Sequence, residues 1–274
     1  MMAVGESRYE AKRALRAANA STWSLSDDKI HSHQSRHDYQ GRILDFVSWA
    51  RRQERFQKLE QLDQRAPVLV TRYLSERLAA GQTPATIQGI RAALRLFFRN
   101  RTLADDLKLP KREREKITRS RVPAKRDSHF QPANWVTLIE FLKGTGLRDS
   151  EIKALQARDV RQTEEGRAEV YVVSGKGGKK RTVVARKSYT EIVLAAIVGK
   201  EPMERIFPRV PQRIKSQALR REFAQGLYME ISGRPLPPKE GRLKRSDYDR
   251  EAALIVSHQL GHNRVDVVLR HYLR

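Results

Sequence analysis

The final stretch of the chain, SHQLGHNRVDVVLRHYLR, concentrates side chains that could do chemistry. These side chains are His258, His262, His271 and Tyr272. Two histidines four residues apart on a helix can face one metal ion, but the zinc-protease pattern H-E-x-x-H also needs a glutamate as general base. Gln259 occupies that position and cannot accept a proton, and Gly261 indicates that the helix ends beside His262. No other Asp, Glu or His group has the spacing of a third ligand, so the sequence predicts no metal site.

Three other segments place basic side chains at turns or beside apolar stripes. The segment GKGGKK, residues 175–180, lacks the Ser or Thr of a P-loop and precedes a strand, so it is either a lysine-rich tip that reaches a phosphate or a solvated turn. At the start of TGLRDSEI, the turn Gly144-Thr145-Gly146 indicates a backbone that directs Arg148 from a turn–helix junction. In SQALRREFAQGLY, Arg220 lies beside the apolar stripe of a helix, so we expect it to be partly buried and paired with a carboxylate or a phosphate.

The charge of the chain predicts a polyanionic partner. Fifty-five Lys and Arg residues against 32 Asp and Glu give a formal charge of +23, far above the roughly 2–8 charges that solubility requires. Release of counterions from phosphates favours nucleic acid, and an anionic membrane surface is the competing interpretation. The absence of cysteine excludes disulfides, zinc fingers and thiol nucleophiles. No segment resembles a secretory signal or a membrane span of ~20 apolar residues, so we expect a cytoplasmic location and no membrane partner.

The apolar pattern predicts a mostly α fold with a small β-sheet. Residues 37–107 show three apolar stripes at helical spacing, and Thr83-Pro84 marks the start of the last helix. Residues 128–274 combine helices with two strands, 169–174 and 181–185, that flank the GKGGKK turn as a hairpin. The sequence therefore predicts an N-terminal helical bundle and a C-terminal α+β domain.

Two basic segments flank the bundle. Residues 1–36 are predicted to be a basic N-terminal arm that is ordered only in context. Residues 108–127 form a basic linker, which we expect to lie along a phosphate backbone rather than to be only a solvated charge run. The candidate DNA-binding residues are Lys111, Arg112, Arg114, Arg119, Arg121 and Lys125 of this linker, with Lys179 and Lys180 of the hairpin turn.

The segments TGLRDSEI, SGKGGKKR, ALRREFAQGLY, HQLGH and HYL follow one another in this order. In this order they resemble the tyrosine recombinase (phage integrase) family, and most closely the integrases of bacterial mobile elements. The resemblance covers residue 130 to the end, and residues 37–107 resemble the family's core-binding, SAM-like domain. It implies a site-specific recombinase that integrates or excises a mobile element by cleaving and rejoining DNA through a 3′-phosphotyrosyl intermediate, with no cofactor and no metal.

The resemblance also implies a role for each side chain that matches a family motif. The catalytic residues would be Arg148, Lys176, Arg220, His262 and Tyr272, with Glu151 and Gln217 in support. The tyrosine would attack the scissile phosphate, which the two arginines would hold. The lysine would protonate the leaving 5′ oxygen, and the histidine would contact the phosphate. The arginine fork suits phosphate oxygens, and cationic neighbours help a phenol of pKa ~10 to ionise.

A break in the last helix is necessary for this site. On one straight helix His262 and Tyr272 would lie about 15 Å apart along the axis and could not share one phosphate. A break at residues 261–263 removes this objection. Val265, Val268 and Leu269 then share one helical face with Tyr272, which predicts an inward-facing tyrosine.

The chain also departs from the family pattern. Gln217 occupies the usual histidine position, where it can donate a hydrogen bond but cannot transfer a proton, so we expect an altered rate. The spacing from LGH to Tyr272 is one residue longer than the commonest one. Only Leu273 and Arg274 follow the tyrosine, so protomers would need another contact, or the chain is truncated. The sequence gives no function for residues 232–245.

The partners expected from the resemblance are double-stranded DNA attachment sites. Homotetramers would assemble on paired sites. Each protomer would hold the duplex between residues 37–107 and 128–274. Whether an accessory DNA-bending or directionality factor also takes part stays an open question. Two alternatives remain. One is a non-catalytic DNA-binding protein that retains the fold. The other is a metallohydrolase that uses His258 and His262.

Overall fold

The computed structural model describes residues 8–20, 29–54, 58–111, 129–176 and 178–274. The chain divides into two compact units, Met1–Ser120 and Arg121–Arg274. Among the described residues, no helix is long and apolar enough to cross a membrane.

The first unit is helical, as its apolar stripes predict. Its helices are α1 (Arg8–Ala17), α2 (His33–Glu54), α3 (Leu59–Ala79) and α4 (Pro84–Phe97). Thr83 caps α4 by accepting a hydrogen bond from the Thr86 amide at 3.2 Å, which confirms the predicted helix start. Phe46 and Tyr73 form an edge-to-face pair in the core of this unit, with ring centroids 5.3 Å apart.

The second unit combines helices with one small sheet. Its helices are α5 (Val136–Thr145), α6 (Asp149–Ala154), α7 (Thr190–Ala195), α8 (Ser216–Ser232), α9 (Arg250–Gln259) and α10 (Val265–Val268). Short 3₁₀ turns cover Pro132–Trp135, Ala157–Asp159, Lys187–Tyr189 and Arg245–Asp247. The helix α6 ends at Ala154, because Leu155 is extended and buries its side chain in the core.

The sheet of the second unit is antiparallel, in the order β1 (Val160–Gln162), β2 (Ala168–Val172) and β3 (Arg181–Val184). Val170 of β2 pairs with Val160 on one side and with Val183 on the other. The predicted hairpin around GKGGKK is confirmed by β2 and β3. The strand β1 was not predicted, because three residues are too few to establish an alternating pattern.

The predicted break near the end of the chain is confirmed. Gly261 has φ +71° and follows α9. Its amide donates to the His258 carbonyl, and the His262 amide donates to the Ser257 carbonyl, both at 2.8 Å, which is the hydrogen-bond pattern of a glycine helix end. After α10 the chain continues into a π-helical turn, Leu269–Leu273, which carries Tyr272.

Candidate active site

Arg148 and Glu151 are joined at the start of α6. The Arg148 amide donates to Glu151 Oε2, and its Nη1 donates to Oε1, both at 2.8 Å. The Glu151 side chain is 1% exposed and that of Arg148 is 15% exposed. A carboxylate in the first turn of a helix accepts from free amides there, so the segment RDSE fixes the arginine at the helix entrance.

Glu151 has a second arginine partner that the sequence did not single out. Arg181, the first residue of β3, donates from Nη1 and Nη2 to the two Glu151 oxygens, at 2.8 Å each. Burial opposes ionisation of Glu151, but the hydrogen bonds and charges of Arg181 and Arg148 outweigh it and lower its pKa to about 2. Glu151 is therefore a buried carboxylate shared by two guanidinium groups.

The carboxyl end of α9 accepts hydrogen bonds from three arginines. The Leu260 carbonyl accepts from Arg148 Nη2 at 3.1 Å and from Arg220 Nη2. The Gln259 carbonyl accepts from Arg181 Nε at 2.9 Å. The last carbonyls of a helix have no partner within the helix and carry its negative dipole end, so they suit guanidinium groups.

Arg220 is fully buried on α8 and faces Tyr272. Its Nη1 donates to the Gly146 carbonyl, and its Nε lies 3.4 Å from Tyr272 Oη. Its Cζ lies 5.8 Å from the centre of the tyrosine ring. Burial, then the charge of Arg148, lowers the pKa of Arg220 to about 10, so it is cationic at neutral pH. The expected burial is confirmed, but its partners are carbonyls and a phenol rather than a carboxylate.

Gly146 makes this burial possible. It ends α5 in the left-handed region, with φ +59°, and a Cβ there would lie 2.3 Å from Phe223 Cδ1. The glycine thus lets the backbone turn its carbonyl toward Arg220 while Phe223 packs directly behind it.

The turn that carries Tyr272 is held by side chains of α8. Gln225 Nε2 donates to the Tyr272 carbonyl at 3.1 Å, and Arg221 Nε lies 3.4 Å from the His271 carbonyl. Tyr272 is partly buried against the core of the second unit. One face of α8 therefore contacts the tyrosine at its hydroxyl, through Arg220, and at its backbone.

Arg274 ties the same turn to the segment whose role the sequence left open. Its Nε donates to the Pro238 carbonyl at 2.7 Å, and its Nη2 donates to the carbonyls of Lys239 and Gly241 at 2.8 and 2.9 Å. Residues 232–245 thus provide an acceptor surface for a side chain two positions after Tyr272.

His262 lies beside the tyrosine. The two ring centroids are 5.8 Å apart, and His262 Nε2 is buried with no hydrogen-bond partner among the residues that the structure describes. Burial, followed by the charges of Arg148 and Arg220, lowers its pKa to about 4. His262 is therefore neutral at pH 7, and a buried nitrogen remains free to bind an added group.

The other candidate residues lie at the edge of this cluster or outside it. Lys176 is exposed in the hairpin turn, whereas Lys179 Nζ donates to Asn263 Oδ1 at 2.9 Å and so reaches the break beside His262. Gln217 is exposed on α8, one turn before Arg220. Lys180 and Lys111 are also exposed. The linker residues Arg112, Arg114, Arg119, Arg121 and Lys125 lie outside the described residues.

The metal alternative finds no support in the geometry. His258 is exposed on α9, whereas His262 lies beyond the helix end next to Tyr272. Within the described parts of the chain, no three His, Cys, Asp or Glu side chains are grouped as metal ligands.

The chain was compared with known protein families and solved structures, and both comparisons gave a match. Residues 22–103 match the phage integrase N-terminal SAM-like domain. The fold is similar to that of the XerH site-specific recombinase bound to its palindromic difH substrate in a post-cleavage complex, with a TM-score of 0.51 and 18% identity, over 85% of this chain and 73% of that chain. No curated protein sequence matches.

Two further solved structures are similar at lower scores. One is XerH in a pre-cleavage complex with difH, with a TM-score of 0.49 and 18% identity over 98% of this chain and 87% of that one. The other is the Tn1549 transposon integrase with circular intermediate DNA, with a TM-score of 0.48 and 13% identity over 98% and 95%. Residues 22–103 thus match the phage integrase N-terminal SAM-like domain, and the chain shares the fold of the XerH site-specific recombinase.

Proposed function

We propose that this protein is a site-specific DNA recombinase that cleaves and rejoins strands through a 3′-phosphotyrosyl bond to Tyr272. One observation carries the proposal. Arg148 and Arg220 meet at the Leu260 carbonyl, and Arg220 Nε lies 3.4 Å from Tyr272 Oη. A guanidinium group at the phenol, with a second one at the same carbonyl, suits in-line attack on a phosphodiester, because the two neutralise the charge that develops on its non-bridging oxygens.

In the proposed reaction Tyr272 Oη attacks the phosphorus and the bond to the 5′ oxygen breaks. The phenol loses its proton, and the departing 5′ oxygen gains one. Lys176 would supply that proton, because it is exposed in a turn that can approach bound DNA. Attack by a 5′-hydroxyl group on the phosphotyrosine reverses the step and rejoins the strand. The bond energy is retained in the ester, so no nucleotide cofactor is consumed.

His262 would act as a hydrogen-bond donor rather than as a cation. Its pKa of about 4 makes it neutral at physiological pH, and its buried Nε2 lacks a partner among the described residues. A non-bridging phosphate oxygen at this nitrogen would complete its hydrogen bonding. Gln217 is exposed nearby on α8 and would contact the DNA backbone without transferring a proton.

The proposed partners are double-stranded attachment sites of a mobile element. The charge of +23 supports a phosphate backbone as the ligand, and XerH was solved with its difH substrate. We also propose that the basic linker, residues 108–127, follows that backbone and that tetramers act on paired sites. Residues 37–107 would be the core-binding domain, preceded by the basic arm, and residues 128–274 the catalytic domain.

Covalent capture tests the proposal and recovers the attachment site in the same step. The protein is incubated with sheared DNA of the source organism, and fragments that remain attached in SDS are sequenced. A duplex of the recovered site, nicked next to the scissile phosphate, then traps the intermediate because the short product diffuses away. Wild type should form the adduct, and Tyr272→Phe should form none.

The same experiment separates the alternatives. A non-catalytic DNA-binding protein would bind in a salt-dependent manner but leave no SDS-resistant adduct. A metallohydrolase that uses His258 and His262 would contain stoichiometric zinc and would cleave without a protein-linked product.

A further inference from the structure

Arg181 is a buried arginine that the proposed cleavage steps do not use. Its side chain is 8% exposed, and the fork of its guanidinium group faces the two oxygens of Glu151. Arginine is seldom buried unless it is paired, and Arg181 is paired with a carboxylate that also binds Arg148. Its function therefore concerns that carboxylate.

Charge balance gives Arg181 a specific effect on Arg148. If Arg148 were the only partner of Glu151, the pair would be neutral and would attract a phosphate weakly. With Arg181 present, the three side chains carry a net charge of +1. Arg148 then keeps its electrostatic attraction for an anion while Glu151 still fixes its orientation.

Arg181 also connects the elements that surround the site. It lies on β3, binds Glu151 of α6, and donates from Nε to the Gln259 carbonyl at the end of α9. Gln259 in turn accepts from the Val184 amide of β3 through Oε1, at 2.8 Å. The strand that follows the hairpin turn is thereby fixed to the helix that precedes His262.

The hairpin turn packs directly on this ion pair. A Cβ at Gly175 would lie 3.1 Å from Arg181 Nη1, 3.2 Å from Glu151 Oε1 and 2.7 Å from the Lys179 carbonyl. Glycine is required there because no side chain fits between the turn and the pair. Arg181 and Glu151 therefore pack closely against the first residue of the turn that carries Lys176.

We propose that Arg181 is a positioning residue of the cleavage site: it neutralises Glu151, so that Arg148 is oriented and yet remains electropositive toward the scissile phosphate. This inference rests on the proposed function. Arg181 itself need not touch DNA, and its effect passes through Glu151 and Arg148.

Charge-matched variants of the full-length chain test the inference. Arg181→Gln removes the charge and leaves Glu151 to Arg148, whereas Arg181→Gln with Glu151→Gln restores a net charge of +1. Arg181→Lys keeps the charge without the fork and remains testable if Arg181→Gln does not fold. The control is Arg161→Gln, which removes an exposed arginine of the same sheet that binds Glu169 at 2.8 and 3.0 Å.

The first readout is the rate of adduct formation at saturating attachment-site DNA. We expect Arg181→Gln to be about 10- to 100-fold slower than wild type, by analogy with partners that orient a metal ligand, while its affinity for the site changes little. The double variant should recover a large part of that loss, because it restores the charge at Arg148, and Arg181→Lys should lie between Arg181→Gln and wild type. Arg161→Gln should match wild type.

Two results would overturn the inference. One is that Arg181→Gln cleaves at the wild-type rate. The other is that the double variant is no faster than Arg181→Gln, which would mean that Arg181 has only a structural role.

If wild type forms no adduct with any DNA, the proposed function fails, and the effect of Arg181 on anion binding is then tested with orthovanadate. The anion should raise the Tm of wild type and of the double variant more than that of Arg181→Gln; equal shifts, or none, refute the role.

Discussion

The ionised carboxylate of Glu151 is expected to stabilise the fold, and this can be tested without DNA. The pKa of this carboxyl is lowered from 4.5 to about 2, because Arg181 and Arg148 outweigh the cost of burial. A group with a depressed native pKa stabilises the fold above its unfolded pKa, and that stability is lost as the pH falls toward the native pKa. Each pH unit is worth about 1.4 kcal/mol, so Glu151 contributes about 3 kcal/mol at neutral pH.

The perturbation is Glu151→Gln, which keeps the shape and removes the charge. Urea unfolding of both proteins is followed at several pH values between 7 and 3 by tryptophan fluorescence. The variant should be less stable than wild type by about 3 kcal/mol at pH 7, and the difference should shrink steadily below pH 4.5. Other carboxyl groups titrate in both proteins, so the difference isolates Glu151.

A matched control is Glu169→Gln on the same sheet. Its partner, Arg161, is 76% exposed, so the change should be below about 1 kcal/mol. A Glu151→Gln variant as stable as wild type at pH 7, or a loss of stability that is the same at pH 3 as at pH 7, would contradict the lowered pKa of Glu151.

Three further predictions concern the surroundings of the tyrosine. The pKa of His262, measured by NMR in the free protein, should lie near 4, and a value near 6.5 would contradict its burial beside cationic side chains. Gly146→Ala should lower the unfolding free energy by about 2–5 kcal/mol, because it places an alanine in the left-handed region and its Cβ would overlap the Phe223 ring. A loss below about 1 kcal/mol in urea unfolding would argue against this. Arg274→Ala should slow adduct formation, by up to about 100-fold if Tyr272 is misplaced by 1 Å, and should leave the DNA affinity unchanged. An unaltered rate would show that the contact with residues 238–241 is dispensable.

Much of the fold could be predicted from apolar spacing and helix-end residues. Gly261 and Thr83 each have a local conformational reason, so the helix end and the helix start were placed correctly. The burial of Arg220 followed from its position beside an apolar stripe. These features depend on residues close together in sequence.

The parts that could not be predicted depend on backbone groups brought together by the fold. The carbonyls of Gly146 and Leu260 accept from Arg220, and any residue type carries a carbonyl, so no sequence signal marks them. Arg181 was predicted only as the first residue of the strand 181–185, with no role of its own. Its position in the strand did indicate burial. Alternate residues of a strand share a face, and Val183 and Ala185, which share the face of Arg181, are fully buried.

The nucleophile is identified by mapping the residue that becomes attached to DNA. The nicked attachment-site duplex is incubated with wild type, and the trapped protein is digested and sequenced by mass spectrometry. We expect one nucleotide-linked peptide, modified at Tyr272, and no adduct with Tyr272→Phe. An adduct at another residue, or an equal yield from Tyr272→Phe, would contradict it.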